Sequence, residues 1–446
     1  MKKIVITFII TMLTTTIFAQ TQEQKLEQLM QAYSETGKLN GTVLITQKGK
    51  TLLNKGYGLR NITENLPNDP NVIFQIGSVT KQFTAAIILK LQEHKKLSLL
   101  DKVSMYFPDY PNGDKIRIEH LLTHSSGIFN YTDDREFMQT KAMKPITHKD
   151  MINTFKDKPL KFVPGSDFEY SNSNYILLGY IIEMLTNKPY EKVVEQMIFK
   201  PLKMKSSGFD FNKLQKSAKA KGYIVYSKEN NKESDEFDPT VSYAAGGMYT
   251  TTADLDKWLT ELSSGKVISQ ESYIKMITPY KNKYGYGNYI NNFAGKTLVA
   301  HGGLTFGYTS YAGRVLEDHL NIIILNNIPN YIINDIANNI LAIIYDKPYK
   351  LPEILKEVSV SSEILKKYIG TYQIAPQIIV TITTENGQLF GQATGQDKVL
   401  LTARNEESFF IKGADVFIDF KKDSSGSITE LILTDGGKAI PAKKIN

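Results

Sequence analysis

Apolar residues recur every three to four positions along several stretches of the chain, which predicts helices with a buried face. The longest stretch begins at Ser78 and carries Val79, Phe83, Ile87 and Leu91 on one side. The same spacing predicts further helices at 22–36, from a polar cluster at 171–174 onward to Thr186, at 190–199, after Thr252, and at 332–345. The middle of the chain is therefore expected to be rich in helix.

Strands are predicted on both sides of this middle. Near the start, residues 41–46 and 51–53 flank a short turn. Three more runs follow the middle, at Thr297–Ala300, Tyr308–Val315 and Leu320–Leu325. The last is almost wholly apolar, as in a strand covered on both faces. We therefore expect an α/β (α+β) fold in which one sheet is covered by two helical regions.

The pattern changes after Leu351. Residues 351–357 look like a linker, and short apolar runs then alternate with turn signals such as Asn386-Gly387 and Asp435-Gly436-Gly437. Such turns favour tight hairpins, which predicts a small antiparallel β-barrel. We expect domains at 20–350 and 351–446, and we interpret the second, which holds no evident catalytic set, as a packing or substrate-shaping module.

The composition is that of an ordinary globular protein, with 41% hydrophobic and 22% charged residues among 446. Cysteine is absent, which excludes a disulfide framework, a thiolate nucleophile and a cysteine-ligated zinc. The formal net charge of +7 includes no dense basic block with interleaved aromatic residues. A nucleic-acid partner is therefore not expected.

The N-terminus has the features of a secretory signal peptide. Met1-Lys2-Lys3 is basic, Ile4–Phe18 is apolar, and Ala19 is a small residue suited to cleavage. The apolar stretch is short and interrupted by threonines, so a retained membrane anchor is the less favoured alternative. We expect residues 1–19 to be removed, and the mature chain to be periplasmic or secreted without a stable membrane span.

Candidate chemistry centres on Ser78-x-x-Lys81. Gly77 permits a sharp turn before the helix, and Lys81 lies one helical turn beyond Ser78 on the same face. A serine hydroxyl needs a base to become a nucleophile, and a buried lysine can lose its proton because burial disfavours the charged form. The alternative is that Ser78 is only a helix N-cap.

The spacing alone is weak evidence, because it recurs at Ser263/Lys266 and Ser272/Lys275. The first of these pairs looks like part of a loop after a helix, and the second lies on an ordinary amphipathic helix. Only the Ser78 stretch begins a long apolar helix after a glycine turn. We therefore place the candidate nucleophile at Ser78.

Two further motifs can complete such a site. Tyr170-x-Asn172 offers a phenol that can move a proton and a carboxamide that can bind an amide. His301-Gly302-Gly303 follows a predicted strand, and glycines at a strand edge let a substrate pair with the backbone. Either motif alone is also compatible with an ordinary loop or turn.

His120 and His124 are four residues apart, which is the spacing of a metal-binding pair on a helix. No acidic residue lies between them and no third ligand is evident. We interpret both as structural histidines, and we predict neither a metal nor a cofactor.

Taken in order, the three motifs resemble those of the penicillin-recognising serine hydrolase superfamily, in the branch of class C β-lactamases, D-alanyl-D-alanine carboxypeptidases, D-aminopeptidases and related esterases. The likeness extends to further segments, at 76–81, 121–127, 164–165, 175–179, 201–204 and 245–248. It covers residues 25–345 and implies an antiparallel β-lactamase/transpeptidase-like sheet flanked by helices. The predicted barrel resembles C-terminal modules of some members.

The resemblance implies catalytic roles for three residues. Ser78 would be acylated, Lys81 would accept its proton, and Tyr170 would exchange protons with the nucleophile and the leaving group. Whether Lys81 or Tyr170 is the working base stays open.

The resemblance also implies the substrate contacts. Asn172 would hold the substrate amide, and His301 and Gly303 would line the bound substrate. The backbone N–H groups of Ser78 and Leu304 would form the oxyanion hole.

One position departs from the pattern of many β-lactamases, which carry Lys-Thr-Gly as the third motif. His301 replaces an ammonium that would meet a β-lactam carboxylate with an imidazole, which is ordinarily charged only at mildly acid pH. We therefore expect an exported serine hydrolase that forms an acyl-enzyme on D-amino-acid peptides, including peptidoglycan-derived ones, or on small esters. A class C-like β-lactamase is the runner-up, and a non-catalytic penicillin-binding sensor is the alternative from another class.

Overall fold

The computed structural model describes residues 20–226, 231–330, 332–352, 355–411, 416–435 and 438–445. The predicted signal peptide and the glycines of the predicted turn at 435–437 lie outside these residues. Within the described part of the chain, no helix is both long and apolar enough to span a bilayer.

The structure describes α-helices before residue 345 and one more beyond it. They are α1 (Gln22–Glu35), α2 (Thr80–Glu93), α3 (Ile118–Leu122), α4 (Arg135–Thr140), α5 (His148–Asn153), α6 (Asn172–Thr186), α7 (Tyr190–Val194), α8 (Lys200–Leu202), α9 (Pro239–Gly246), α10 (Thr252–Ser263), α11 (Gln270–Met276), α12 (Ile333–Ile344) and α13 (Ser362–Lys367). The predicted helix at 190–199 is divided, because a wider π-type turn follows Val194.

Strands of the same region form one six-stranded sheet and three short ladders. They are β1 (Gly41–Gln47), β2 (Lys50–Tyr57), β3 (Leu59–Asn61), β4 (Leu66–Pro67), β5 (Phe74–Gln75), β6 (Tyr223–Tyr226), β7 (Asn231–Glu233), β8 (Tyr249–Thr250), β9 (Tyr289–Phe293), β10 (Lys296–Thr305), β11 (Tyr308–Val315) and β12 (Leu320–Asn326). The sheet has the order β2-β1-β12-β11-β10-β9, and every pairing in it is antiparallel.

Each face of the sheet carries its own core. On one face, α1 and α12 pack against β12 through residues such as Leu29, Ile324 and Ile340. On the other, β12 packs through Ile323 into a larger core that includes Phe83 of α2. β11 and β12 are buried along their whole length, which explains why β12 is almost wholly apolar without alternating polar residues. The expected arrangement of an antiparallel sheet between two helical regions is confirmed.

Two features of the sheet differ from the sequence prediction. The predicted strand at Thr297–Ala300 continues to Thr305, because pairing with β11 extends through the glycines. β9 was not predicted, since its sequence is polar and it lies at the sheet edge. β9 pairs with β10 only as far as Ala300, so His301–Thr305 keeps one free edge.

The C-terminal region forms the expected closed antiparallel barrel. Its strands are β13 (Gly370–Ala375), β14 (Ile378–Glu385), β15 (Gln388–Ala393), β16 (Val399–Ala403), β17 (Ser408–Phe410), β18 (Val416–Lys422), β19 (Ile428–Asp435) and β20 (Lys438–Lys444). β20 closes the barrel by pairing with β13, and alternate residues such as Val380 and Ile382 fill the interior.

Candidate active site

Ser78 lies in a single 3₁₀ turn, Gly77–Val79, that leads directly into α2. Gly77 has a φ of +48°, and a Cβ added there would lie 2.9 Å from both the backbone nitrogen and the backbone oxygen of Leu304. Glycine is therefore needed both for the conformation and for the close approach. This contact brings the Ser78 turn against the free edge of β10.

Lys81 is fully buried and lies beside the serine. Its Nζ is 2.9 Å from Ser78 Oγ, 2.7 Å from Asn172 Oδ1 and 2.7 Å from the carbonyl oxygen of Ala245. Burial lowers the pKa of Lys81 well below its usual 10.5. A neutral amine can donate its two hydrogens to Asn172 and Ala245, which leaves its lone pair to accept the hydroxyl proton of Ser78.

The carbonyl contact to Lys81 depends on a kink in α9. Tyr243 has a φ of +36° and a ψ of −129°, which interrupts the helix at that residue. The carbonyl oxygens of the next two residues then face α2: that of Ala244 accepts from Thr84 Oγ1 at 2.7 Å, and that of Ala245 accepts from Lys81. Backbone strain of this kind persists only where the surroundings hold it.

Tyr170 comes two residues before α6, and its ring centroid is 4.9 Å from Lys81 Nζ. Removal from water raises the pKa of Tyr170 well above 10, and an interaction with the Ser78 side chain opposes part of this rise. The side chain is therefore a phenol rather than a phenolate at neutral pH. In that form it can donate a proton to an atom bound next to Ser78.

Asn172 is the first residue of α6, and both ends of its side chain are engaged. Its Oδ1 accepts from Lys81, and its Nδ2 donates to Thr132 Oγ1 at 3.1 Å. Its backbone N–H donates to Asn130 Oδ1 at 2.9 Å. The carboxamide thus orients the lysine directly, whereas the sequence analysis assigned it only to the substrate.

His301 lies inside β10 and is 3% exposed. Its Nδ1 is 2.5 Å from the carbonyl oxygen of Gly302 and its Nε2 is 3.0 Å from the hydroxyl of Tyr284. A carbonyl only accepts, so Nδ1 carries the proton and Tyr284 donates to Nε2. Burial, with a smaller contribution from Lys81, lowers the pKa of His301 to about 3.

The ordinary imidazole pKa, which the sequence alone suggests, therefore does not apply to His301. Its imidazole is neutral in that range, and both ring nitrogens already have partners within the protein. His301 thus does not replace the ammonium of the Lys-Thr-Gly motif as a charge.

The two glycines after His301 differ in the space that a side chain would find beside them. A Cβ on Gly303 would lie 1.9 Å from the carbonyl oxygen of Ile76, so packing against the Ser78 turn requires glycine there. A Cβ on Gly302 would meet only the carbonyl oxygen of Ser310, at 3.7 Å. Gly302 is therefore the glycine with open space beside it.

Open space lies on both sides of Ser78. A cleft of about 910 Å³ is bordered by Ser78, Tyr170, Gly302 and Leu304 and extends past β9 to the start of α12. A smaller pocket on the other side is bordered by Ser78, Asn172 and Leu304 together with the apolar Val241 and Met138. A bound molecule can thus extend in both directions from the serine hydroxyl.

The other predicted residues lie apart from this site. Lys266 and Lys275 are in water and pair with Glu261 and Glu271. His120 accepts the N–H of Arg117 through Nδ1. Among the described residues, no cluster of three or more histidine, aspartate or glutamate side chains is placed to hold a metal ion.

Three residues near Ser78 and Tyr170 were not predicted from the sequence to belong to the site. Ala245 acts through its carbonyl, which leaves no signature in the residue type. Tyr284, which bonds His301, was not considered. His124 was assigned a structural role, yet its ring lies 4.2 Å from the ring of Tyr170. The available signal was its place in the segment 121–127, which carries part of the family likeness.

Comparison with known proteins gives two family matches. The family model described as "Beta-lactamase" matches residues 24–343. A second model, described as "Domain of unknown function (DUF3471)", matches residues 355–442. The first covers the six-stranded sheet and every predicted site residue, and the second covers the barrel except the end of β20.

Among curated proteins, the chain is similar to "Putative penicillin-binding protein PbpX" of Bacillus subtilis, with 35% identity over 254 residues. This match covers 56% of the chain and 62% of the relative, so it spans less than two thirds of that protein. "Penicillin-binding protein 4*" of the same organism is 27% identical over 448 residues, covering 94% of the chain and 98% of the relative.

Among solved structures, an octameric penicillin-binding protein homologue from Pyrococcus abyssi is similar at 29% identity and a TM-score of 0.65, covering 94% of this chain and 99% of that one. A D-amino acid amidase from Ochrobactrum anthropi SV3, complexed with L-phenylalanine amide, shares the fold at 23% identity and a TM-score of 0.64, covering 72% and 99%.

Proposed function

Because the chain belongs to the β-lactamase family, we propose that it is an exported serine hydrolase that forms an acyl-enzyme on Ser78. The family match supports a serine hydrolase, which agrees with the resemblance inferred from the three motifs. The observation that carries the proposal is the buried Lys81, whose Nζ meets Ser78 Oγ at 2.9 Å. Within the described chain it forms no ion pair with a carboxylate, so no counter-charge offsets the loss of solvation of an ammonium there.

In the proposed reaction, Ser78 Oγ attacks the carbonyl carbon while its proton passes to Lys81 Nζ. The carbonyl oxygen becomes an oxyanion and accepts hydrogen bonds from the backbone N–H groups of Ser78 and Leu304. Tyr170 gives its proton to the leaving nitrogen or oxygen as that bond breaks, and it regains a proton from Lys81. Water then attacks the acyl-enzyme, and the same groups act in reverse.

The directions of the two pKa shifts favour Lys81 over Tyr170 as the base. The pKa of Lys81 is lowered, which increases its neutral, proton-accepting form. The pKa of Tyr170 is raised, which maintains its proton-donating form. A pair of groups whose environments separate their pKa values in this way suits a base and an acid.

As substrates we propose D-amino-acid peptides or small esters. The neutral imidazole of His301 offers no charge for a substrate carboxylate, which disfavours the class C-like β-lactamase. The similarity of the fold to that of a D-amino acid amidase is compatible with amide substrates for this chain. A non-catalytic sensor is disfavoured because Ser78, Lys81, Tyr170 and Asn172 are all present in one site.

Intact-protein mass after exposure to a fluorophosphonate and to penicillin tests the nucleophile. We expect one adduct on the wild type and none on Ser78→Ala. Ser263→Ala is the matched control, because Ser263 has the same spacing to a lysine but its hydroxyl donates to the carbonyl oxygen of Thr260 in its own helix. No adduct on the wild type, or an unchanged adduct on Ser78→Ala, would reject the proposal.

A panel of D-amino-acid amides, D-alanyl-D-alanine peptides, short esters and β-lactams then separates the substrate classes. We expect turnover of amides or esters to exceed that of β-lactams. Export has a separate test: the N-terminal sequence of the protein recovered outside the cytoplasm. Processing after Ala19 is expected, and an unprocessed chain in the cytoplasm would refute export.

A further inference from the structure

We propose that His124 is a positioning residue that holds Tyr170 beside Ser78, a role that rests on the function proposed above. His124 lies just after α3, opposite the loop that carries the tyrosine. Its carbonyl oxygen accepts the N–H of Glu169 at 3.0 Å, and its Nδ1 accepts the N–H of Ser171 at 3.2 Å. Both chain neighbours of Tyr170 are therefore bonded to one residue.

The His124 ring also contacts the tyrosine side chain. The centroids of the His124 and Tyr170 rings are 4.2 Å apart, with the ring planes tilted by 37°. The imidazole also packs against Tyr284, at 4.8 Å between centroids, and the Tyr284 hydroxyl bonds His301. His124 thus fixes Tyr170 through its backbone and its ring, and links it to the neutral His301.

The hydrogen bonds define the tautomer of this imidazole. Ser126 Oγ donates to Asn174 Oδ1 at 2.6 Å, so the amide nitrogen of Asn174 faces His124 Nδ1, at 3.3 Å. Nδ1 thus receives donors from Asn174 and Ser171 and carries no proton itself. The ring proton is on Nε2, which is buried without a hydrogen-bond partner among the described residues.

The neutral state of His124 follows from its surroundings. The side chain is fully buried, and burial lowers its pKa well below 6.5. A proton on Nδ1 would break both hydrogen bonds and place a cation beside Lys81. The bond to Ser171 therefore requires the neutral imidazole.

The backbone of His124 is in the left-handed region, with a φ of +55°. Non-glycine residues adopt this region at a cost, and asparagine tolerates it well. In this conformation the carbonyl and the ring of one residue both face the loop at 169–171. Asparagine also places its Oδ1 near the position of Nδ1, whereas glutamine places its oxygen near that of Nε2.

These properties define a matched pair of variants. His124→Asn keeps an acceptor for the Ser171 N–H, and His124→Gln removes it while keeping a polar amide. We expect His124→Gln to lower kcat by about 100-fold with KM within about threefold, and His124→Asn to stay within about fivefold of the wild type. Short-ester turnover per active serine, titrated with a fluorophosphonate, gives these values.

A second test asks whether His124 acts through Tyr170. In a Tyr170→Phe background, His124→Gln should cause little further loss of kcat, because the group that it positions is absent. If kcat of the double variant falls by the product of the two single-variant losses, the proposal is overturned. Equal kcat for the Asn and Gln variants, at similar thermal midpoints, would also overturn it.

Hydrogen exchange of the segment 165–175 gives a readout independent of activity. We expect faster exchange at Ser171 in His124→Gln than in the wild type, and protection in His124→Asn. The same exchange in all three proteins would overturn the positioning role. If the wild type forms no Ser78 adduct, the function proposed above fails, and this exchange measurement still decides whether His124 holds the loop.

Discussion

Two Ser-x-x-Lys pairs of this chain share a spacing and differ in their surroundings. Lys81 is fully buried, and its Nζ meets three neutral oxygens, including Ser78 Oγ. Lys275 has a side chain that is 43% exposed, and it pairs with Glu271 at 2.8 Å. The comparison teaches that burial beside the hydroxyl, without a counter-charge, distinguishes a candidate base from a surface lysine.

Two neighbouring glycines at the site also share a residue type and differ in their surroundings. Gly302 and Gly303 are neighbours on β10, yet only the second touches the Ser78 turn. The residue type alone therefore says little, and the atoms within about 4 Å of it decide its role.

The strongest test of the lysine comparison replaces each lysine by arginine. A guanidinium does not lose its proton in proteins, so Lys81→Arg should slow acylation by a fluorophosphonate about 10³-fold. Lys275→Arg should acylate at the wild-type rate. Circular dichroism checks that both variants are folded, and a folded Lys81→Arg protein that acylates within tenfold of the wild type would break the comparison.

The glycine comparison is tested by stability. Gly303→Ala places a Cβ 1.9 Å from the carbonyl oxygen of Ile76, and should lower the free energy of unfolding by about 3 kcal/mol. Gly302→Ala should cost less than about 1 kcal/mol. Denaturant unfolding measures both values, and equal losses would show that the β10 edge does not pack against the Ser78 turn as described.

The pH dependence of acylation identifies the base. A base must be unprotonated, so the rate should rise with pH as Lys81 loses its proton, and it should level off well below pH 10.5 because burial lowers that pKa. Tyr170→Phe should reduce the rate but keep this rise. A rise that disappears in Tyr170→Phe would assign the base to the tyrosine instead.

The smallest effect on acylation is expected from a change in the surface ion pair of Lys275 and Glu271. Glu271→Gln removes the partner of Lys275, but both side chains are in water and salt screens their attraction. Acylation should be unchanged, and any small shift in thermal midpoint should vanish at high salt. A change in acylation would mean that this helix communicates with the site.

The apolar strands were predictable because burial on both faces leaves an almost continuous apolar sequence, as in β12. β9 was not, since an edge strand can carry residues such as Asn291 and Asn292, which remain exposed. The continuation of β10 through Gly302 and Gly303 depends on pairing with β11, which no local propensity reveals.

In the candidate site, too, some features were predictable from the sequence and others depend on the fold. Ser78, Lys81 and Tyr170 carry functional groups whose chemistry suggests their roles before the fold is known. Ala245 contributes only a carbonyl, and its position depends on the kink at Tyr243. The neutrality of His301 follows from burial and from two specific partners, so the sequence provides only the ordinary imidazole pKa.

The protonation state of Lys81 tests the account most directly. Nitrogen-15 NMR of protein labelled on lysine side chains, with Lys81→Arg used to assign the signal, reports whether Nζ is an amine or an ammonium. As pH rises, we expect the Lys81 signal to become that of a neutral amine while the exposed lysines are still charged. A Lys81 signal that stays that of an ammonium until the exposed lysines also lose their protons would contradict the proposed role of Lys81 as the base.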